Sequence, residues 1–180
     1  MKLTSVDATL PDFHSDSHER TEGLHLGHIL DLIEKDMGVD YSSHPWDSHT
    51  TMNVGFIWER VLKDSILRAQ VEAGEIIQIG EVIQDGILMT PDAINTTNGS
   101  VEEWKFTWKS INRDIASFYR YWWQIKSYCL ACHTRTATLR VLFAMGDWKN
   151  SPGPQYRVWR AEFSEQELEE NWKMILGHKP

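Results

Sequence analysis

Two acidic residues and a lysine fall within the stretch GILMTPDAINTTNGSVEEWKFTWKS: Asp92, then Glu103 and Lys105 in the tripeptide Glu103-Trp104-Lys105. If residues 101–108 form a strand, Glu103 and Lys105 are two apart and emerge on one face. Glu102 then points to the other face and is the poorer candidate. Asp92 ends a preceding strand just after Pro91, and a turn at TTNGS can fold it back beside the pair. Two carboxylates converging with one ammonium suit hydrolysis of a phosphodiester. Carboxylate oxygens hold hard cations such as Mg²⁺, which allows a water to be activated and phosphate charge to be neutralised. Lys105 can orient or deprotonate that water, or stabilise the pentavalent transition state.

The elements that must position these residues are legible in outline. Leu26, Ile29, Leu30 and Ile33 recur at helical spacing, predicting an amphipathic helix over residues 21–37 ended by Gly38. Val54, Ile57, Trp58, Val61 and Leu62 mark a second helix running towards Ala73 and stopped near Gly74. Residues 76–83, 87–89 and 92–95 are short, β-rich segments broken by Gly and Pro. Residues 113–131 read as a long helix with Ile115, Phe118, Trp122, Ile125 and Cys129 inward. Two more strands are expected over 138–145 and 155–163, around the turn GDWKNSPGP. Ser164 with Glu167 is a capping box that opens a final helix carrying Leu168, Trp172 and Ile175. The order implies an α/β fold with a mixed β-sheet flanked by helices. Residues 1–20 read as a flexible N-terminal arm, and 21–180 as a single domain.

Composition sets bounds. The chain has 180 residues and a formal net charge of −8, which argues against a protein that coats DNA non-specifically. The charge is uneven, however. Residues 101–135 carry Lys105, Lys109, Arg113, Arg120, Lys126 and Arg135 against Glu102, Glu103 and Asp114, which suggests a local phosphate-facing surface. Nine tryptophans suit a core, a base-stacking surface or an interface. No apolar run has membrane-spanning length and no secretory signal opens the chain, so a cytoplasmic protein is expected. Cys129 and Cys132 form a C-x-x-C read as plain thiols, because two cysteines cannot build a four-cysteine site.

Two flanking motifs sharpen the picture. Gly55-Phe-Ile-Trp-Glu59 is a G-x-x-x-E on the second predicted helix, and Gln124-Ile-Lys-Ser-Tyr128 is a Q-x-x-x-Y on the long one. In the order G-x-x-x-E, Asp, E-x-K and Q-x-x-x-Y, the chain resembles the PD-(D/E)xK nuclease superfamily, in its RecB-like and lambda-type phage exonuclease branch, over roughly residues 20–142. The resemblance implies a restriction-endonuclease-like core, Mg²⁺ or Mn²⁺ dependence and DNA, with a free end, as substrate. It implies Asp92 and Glu103 as metal ligands with the main-chain carbonyl of Trp104, and Glu59 reaching the metal directly or through water. Lys105 would be the catalytic lysine, with Gln124 and Tyr128 positioning it or the scissile phosphate. The plainer readings are a surface ion pair of Glu59 with Lys63 and ordinary packing for Tyr128.

The segment RTEGLHLGHI resembles the family's amino-terminal element, so Arg20 or His25 is expected to bind a phosphate at a helix start. Arg113, Arg120 and Lys126 are expected on the DNA-binding surface of the long helix. Relatives with an iron–sulfur cluster use four cysteines, so no cluster is expected here. The implied setting is recombination, repair or phage DNA processing in a bacterial or phage-infected cell, with a recombination or single-strand-binding protein as a further partner. Two other readings stand beside this one. The first is a catalytically inactive relative that binds DNA or protein. The second is a zinc-dependent module using His25, His28 and the two cysteines.

Overall fold

The computed structural model describes residues 21–39, 48–144 and 154–180. The expected N-terminal arm with Arg20, most of the GVDYSSHPWDSHT loop and most of the GDWKNSPGP turn lie outside them.

Helices and strands alternate along the described residues. Strand β1 (Leu24–His25) leads into helix α1 (Leu26–Asp36), followed by α2 (Ser48–Val61), a π-helical turn (Leu62–Ile66) and α3 (Arg68–Glu72). Strands β2 (Ile76–Ile77), β3 (Val82–Gln84), β4 (Ile87–Met89), β5 (Ala93–Asn95) and β6 (Ser100–Thr107) come next. A 3-10 turn (Ile115–Ser117) precedes α4 (Tyr119–Ala131), and β7 (Thr136–Phe143), β8 (Gln155–Glu162) and α5 (Glu165–Gly177) complete the order. No described helix is long and apolar enough to cross a membrane.

The strands form a five-stranded sheet in the order β2-β5-β6-β7-β8 and a small one in the order β1-β4-β3. The larger sheet is mixed: β6 and β7 run parallel across the α4 crossover, while β5 and β8 are antiparallel to their neighbours. Side chains alternate along β6 and β7 and bury apolar surface on both faces. Val101, Leu139, Val141 and Phe143 join α1, α4 and α5 in one core. Trp104 and Ala93 join Trp58, Leu62 and Leu67 of the α2 region in another. Helices thus flank a mixed sheet, as the element order implied.

Strand β7 lies at Thr136–Phe143 rather than 138–145, and four larger differences from the sequence reading each have a local reason. Helix α1 starts at Leu26, because Leu24 and His25 pair in parallel with Ile87 and Leu88 of β4. The second helix breaks after Val61, where the Leu67 N–H donates to the Leu62 carbonyl at 2.8 Å, five residues back. That widened turn brings Leu62 and Leu67, both buried, into the same core, which an unbroken α-helix would point apart. Residues 76–83 split at Gly80, whose φ of 73° only glycine adopts cheaply, so that β2 and β3 go to different sheets. The long helix begins at Tyr119, since Asp114 caps a separate 3-10 turn through its bond from the Ala116 N–H at 3.0 Å. The capping box at Ser164 and Glu167 is formed as expected.

Glu102, read as lying off the catalytic face, belongs to the opposite side of β6. There the Arg140 guanidinium donates to both its carboxylate oxygens, at 2.6 and 3.3 Å, and to the Tyr156 hydroxyl at 3.1 Å. Both charges are largely out of water, with side chains 1% and 14% exposed. Glu102→Ala would strand the buried guanidinium and is expected to lower unfolding stability by about 3 kcal/mol. Urea denaturation reads this directly, and a loss below about 1 kcal/mol would show that water takes over the carboxylate's role.

Candidate active site

The chain passes from the small sheet to the large one between Met89 of β4 and Ala93 of β5, through Thr90, Pro91 and Asp92. Asp92 therefore stands where two sheets meet. The turn that returns the chain is built from its own side chains. Asn95 Oδ1 accepts the Thr97 N–H at 3.0 Å, Asn98 Oδ1 accepts the Ser100 N–H at 3.0 Å, and Gly99 takes a φ of 69°. The resulting hairpin pairs Ala93 with Glu102, and one further step of that register sets Asp92 opposite Glu103. The Trp104 N–H donates to Asp92 Oδ2 at 2.5 Å and fixes the carboxylate against β6.

Strand pairing between β5 and β6 ends at Glu102. Beyond it this edge of β6 is left to Asp92. The N–H and C=O of one residue in an extended strand point to the same side, so the Trp104 carbonyl is directed to the edge where its N–H meets Asp92.

Glu103 is 1% exposed, and its Oε1 forms an ion pair with the Lys105 ammonium. Its Oε2 is buried with no hydrogen-bond partner. Burial raises the Glu103 pKa against the pull of Lys105. Burial also raises that of Asp92 well above the ordinary carboxylate value, and the charges of Glu103 and then Glu59 add to this. Lys105 behaves oppositely: Glu103 and Asp92 outweigh its desolvation and hold its pKa well above the usual lysine value. The cluster is thus a pair of crowded carboxylates with one firmly charged ammonium.

Helix α4 brings the remaining partners. Gln124 Nε2 donates to the Tyr128 hydroxyl oxygen at 2.6 Å. Tyr128 is 4% exposed, and its hydroxyl pKa is raised by burial and then by the charge of Glu103. That coupling places the phenol beside the carboxylate cluster rather than in packing alone. Glu59 approaches from α2, half-buried and close enough for its charge to act on Asp92. So Asp92, Glu103, Lys105, Gln124 and Tyr128, expected together, are brought together, with Glu59 at their side.

The expected DNA-binding residues are more scattered. Arg113 is exposed and precedes the 3-10 turn, so it is not on α4. Arg120 is tied to α1 by an ion pair with Glu34 and another with Asp31 at 2.8 Å. Lys126 lies on the α4 face turned towards Phe163, its ammonium 5.5 Å from that ring, away from Gln124 and Tyr128. His25 accompanies β1 with its Nε2 2.9 Å from the Thr21 carbonyl oxygen. Two further residues lie beside the site: Tyr121, which the sequence reading missed, and Lys109, which it named only within the basic stretch 101–135. The Tyr121 ring lies under Lys105 at 5.8 Å, and Lys109 shares that ring at 5.9 Å. Lys109 lies in the bend after β6, beyond the reach of strand alternation, so its place in the basic stretch 101–135 was its signal.

Among the described residues no three His, Cys, Asp or Glu side chains converge as a metal site, so His25, His28, Cys129 and Cys132 form no such group there. The Cys129 thiol, buried at the end of α4, has its pKa pushed up to about 12 by burial and by Cys132. The pair Asp92 and Glu103 is nevertheless a fitting start for a hard cation. It offers oxygen donors alone, one of them buried without a hydrogen bond, and Mg²⁺ is commonly held by one or two carboxylates with waters completing its shell.

No protein-family model and no curated protein sequence matches the chain. Solved structures do. An alkaline exonuclease, LHK-Exo, from Laribacter hongkongensis is 12% identical, with 84% of this chain and 76% of that one covered at a TM-score of 0.47. A phage-related exonuclease from Haemophilus somnus 129PT is 10% identical, covering 85% and 78% at a TM-score of 0.49. The protein SSO0001 is 12% identical, covering 91% and 80% at a TM-score of 0.52, a likeness that establishes a shared fold. A shared fold does not by itself assign an activity.

Proposed function

We propose that the chain is a divalent-metal-dependent deoxyribonuclease that hydrolyses phosphodiester bonds, acting from a strand end in recombination, repair or phage DNA processing. The single observation that carries this reading is the juxtaposition of Asp92, Glu103 and Lys105 at the open edge of β6. Its support is chemical: two buried carboxylates, both with raised proton affinity and Asp92 raised further by the charge of Glu103, are relieved by a cation between them.

Asp92 and Glu103 would hold Mg²⁺ or Mn²⁺, with the Trp104 carbonyl as a main-chain donor and Glu59 joining directly or through water. Bound there, the cation supplies Lewis-acid chemistry, lowering the pKa of a water and offsetting charge on the phosphate. The rest falls to the chain's own groups. Lys105, whose proton is held tightly, acts as a cation that orients the attacking water and stabilises the added charge of the transition state. This charge state favours orientation over proton abstraction. Gln124 fixes the Tyr128 hydroxyl as an acceptor, which leaves the phenol proton free to be donated to a phosphate oxygen or to the water.

Incubation of linear and covalently closed DNA with Mg²⁺, Mn²⁺, Ca²⁺ or EDTA tests the proposal. Mg²⁺ and Mn²⁺ should support cleavage, and Ca²⁺ should bind with little turnover, because its looser coordination positions the water poorly. Full activity in EDTA would sink the mechanism. Equal cleavage of linear and closed DNA would replace the exonuclease with an endonuclease. Binding without cleavage in every metal would favour the inactive relative.

A further inference from the structure

The cluster at Asp92, Glu103 and Lys105 accounts for one phosphate, but a nucleic-acid strand presents a row of them. Just past the end of β6 the chain bends at Lys109, whose N–H donates to the Thr107 hydroxyl oxygen at 3.1 Å. The Lys109 ammonium rests 5.0 Å from the centre of the Phe118 ring and 5.9 Å from that of Tyr121. Lys105 lies 5.8 Å from the same Tyr121 ring. The two ammoniums therefore share one aromatic wall and stand no more than about 12 Å apart. A strand with one charge per about 3.4 Å of rise covers that distance within roughly three steps.

Lys109 lacks the partner expected of a structural lysine. Its side chain is exposed, and among the described residues no carboxylate forms an ion pair with it. Burial, then the charge of Arg113, hold its pKa below the ordinary lysine value, with Arg120 adding to this and Glu34 opposing it. The Glu34 carboxylate is itself paired with Arg120. A cation that faces other cations and has no carboxylate partner is stabilised by an incoming anion. The aromatic rings on which it rests fix its position beside Lys105 and supply cation–π attraction in the meantime.

We propose that Lys109 binds a phosphate of the substrate strand within three nucleotides of the scissile one, so that Lys105 and Lys109 grip two phosphates of one strand. This rests on the nuclease reading and adds a register to it: the strand runs along β6 from Lys105 over Tyr121 towards Phe118.

The test combines variants with a neutral phosphate. Equilibrium binding of a fluorescent single-stranded oligonucleotide is measured in Ca²⁺, and cleavage of the same strand is measured in Mg²⁺. Lys109→Met, which keeps the aliphatic stem over both rings, should weaken binding about tenfold and flatten its salt dependence by about one unit of slope. KM should rise more than kcat falls, and Lys109→Arg should return affinity to within about threefold of wild type. A single methylphosphonate is then moved through the three positions on each side of the cleaved bond. At one position wild type should lose about tenfold in affinity while Lys109→Met loses nothing further, since the charge has already lost its partner. Penalties that add at every position, or a Lys109→Met protein that binds as tightly as wild type, would overturn the subsite. In that case a wild type that still cuts the unmodified strand leaves the nuclease reading intact. A wild type that cuts no DNA in Mg²⁺ or Mn²⁺ removes both.

Discussion

Removing the Lys105 ammonium is expected to lower the rate of cleavage at saturating DNA and Mg²⁺ by at least about a hundredfold, the usual scale for one preorganised charge at a reacting centre. Asp92→Ala and Glu103→Gln should do the same through loss of cation binding. The structure makes the choice of substitution matter. Glu103 is buried with Lys105 as its ion-pair partner, so deleting the lysine strands a carboxylate that has no other hydrogen bond on Oε2. Lys105→Ala therefore mixes lost chemistry with lost stability; Lys105→Met also leaves the carboxylate unpaired but keeps the packing of the stem, and Glu103→Gln keeps shape while removing charge. The thermal melts of the variants, recorded beside their rates, separate the two effects. A folded Lys105→Met protein that cuts DNA at the wild-type rate in Mg²⁺ would show that the assignment of the site is wrong.

That site was legible in the sequence because strand alternation is a strong rule and TTNGS is a strong turn. Together they fix Glu103 and Lys105 on one face and bring Asp92 back beside them. The Q-x-x-x-Y pair was legible for a similar reason, since residues four apart on a helix meet, and Gln124 and Tyr128 do. Where the reading failed, tertiary partners decided the outcome. Nothing in the composition of residues 113–131 says that Asp114 will cap a separate turn, which takes Arg113 off the helix. Nor does a count of basic residues say that Arg120 faces Asp31 and Glu34, both nearly ninety positions away in sequence. The π-helical turn after Val61 was hidden because Leu62 and Leu67 look out of phase for a helix, and only their common core makes sense of the widened turn. Sequence patterns carry near-neighbour geometry well, and they carry the pairing of distant charges poorly.

Asp92→Asn is expected to abolish cleavage and at the same time to make the metal-free protein more stable at neutral pH. The Asp92 carboxyl is desolvated, and it faces the charges of Glu103 and Glu59, so its pKa in the folded chain lies well above its unfolded value. A carboxyl shifted in that direction binds its proton more tightly when folded. Its contribution to stability is fully present below the unfolded pKa and is lost as pH rises through the raised folded value. Glu103, raised in the same direction and interacting with Asp92, extends the loss, so the two titrate as a pair rather than singly. At neutral pH the metal-free site therefore holds negative charge that the fold would shed if it could. An amide at position 92 removes that charge, and its oxygen can still accept the Trp104 N–H that Asp92 Oδ2 accepts at 2.5 Å. Unfolding stability without metal should rise by about 1–2 kcal/mol at pH 7.5, and the difference from wild type should vanish towards pH 4. Adding Mg²⁺ should raise the wild-type melting temperature and leave Asp92→Asn nearly unmoved, because ligand binding stabilises only a fold that retains the site. An Asp92→Asn protein less stable than wild type without metal at pH 7.5 would mean that the carboxylate is held chiefly by the β6 backbone, and that no cation is needed to relieve the cluster.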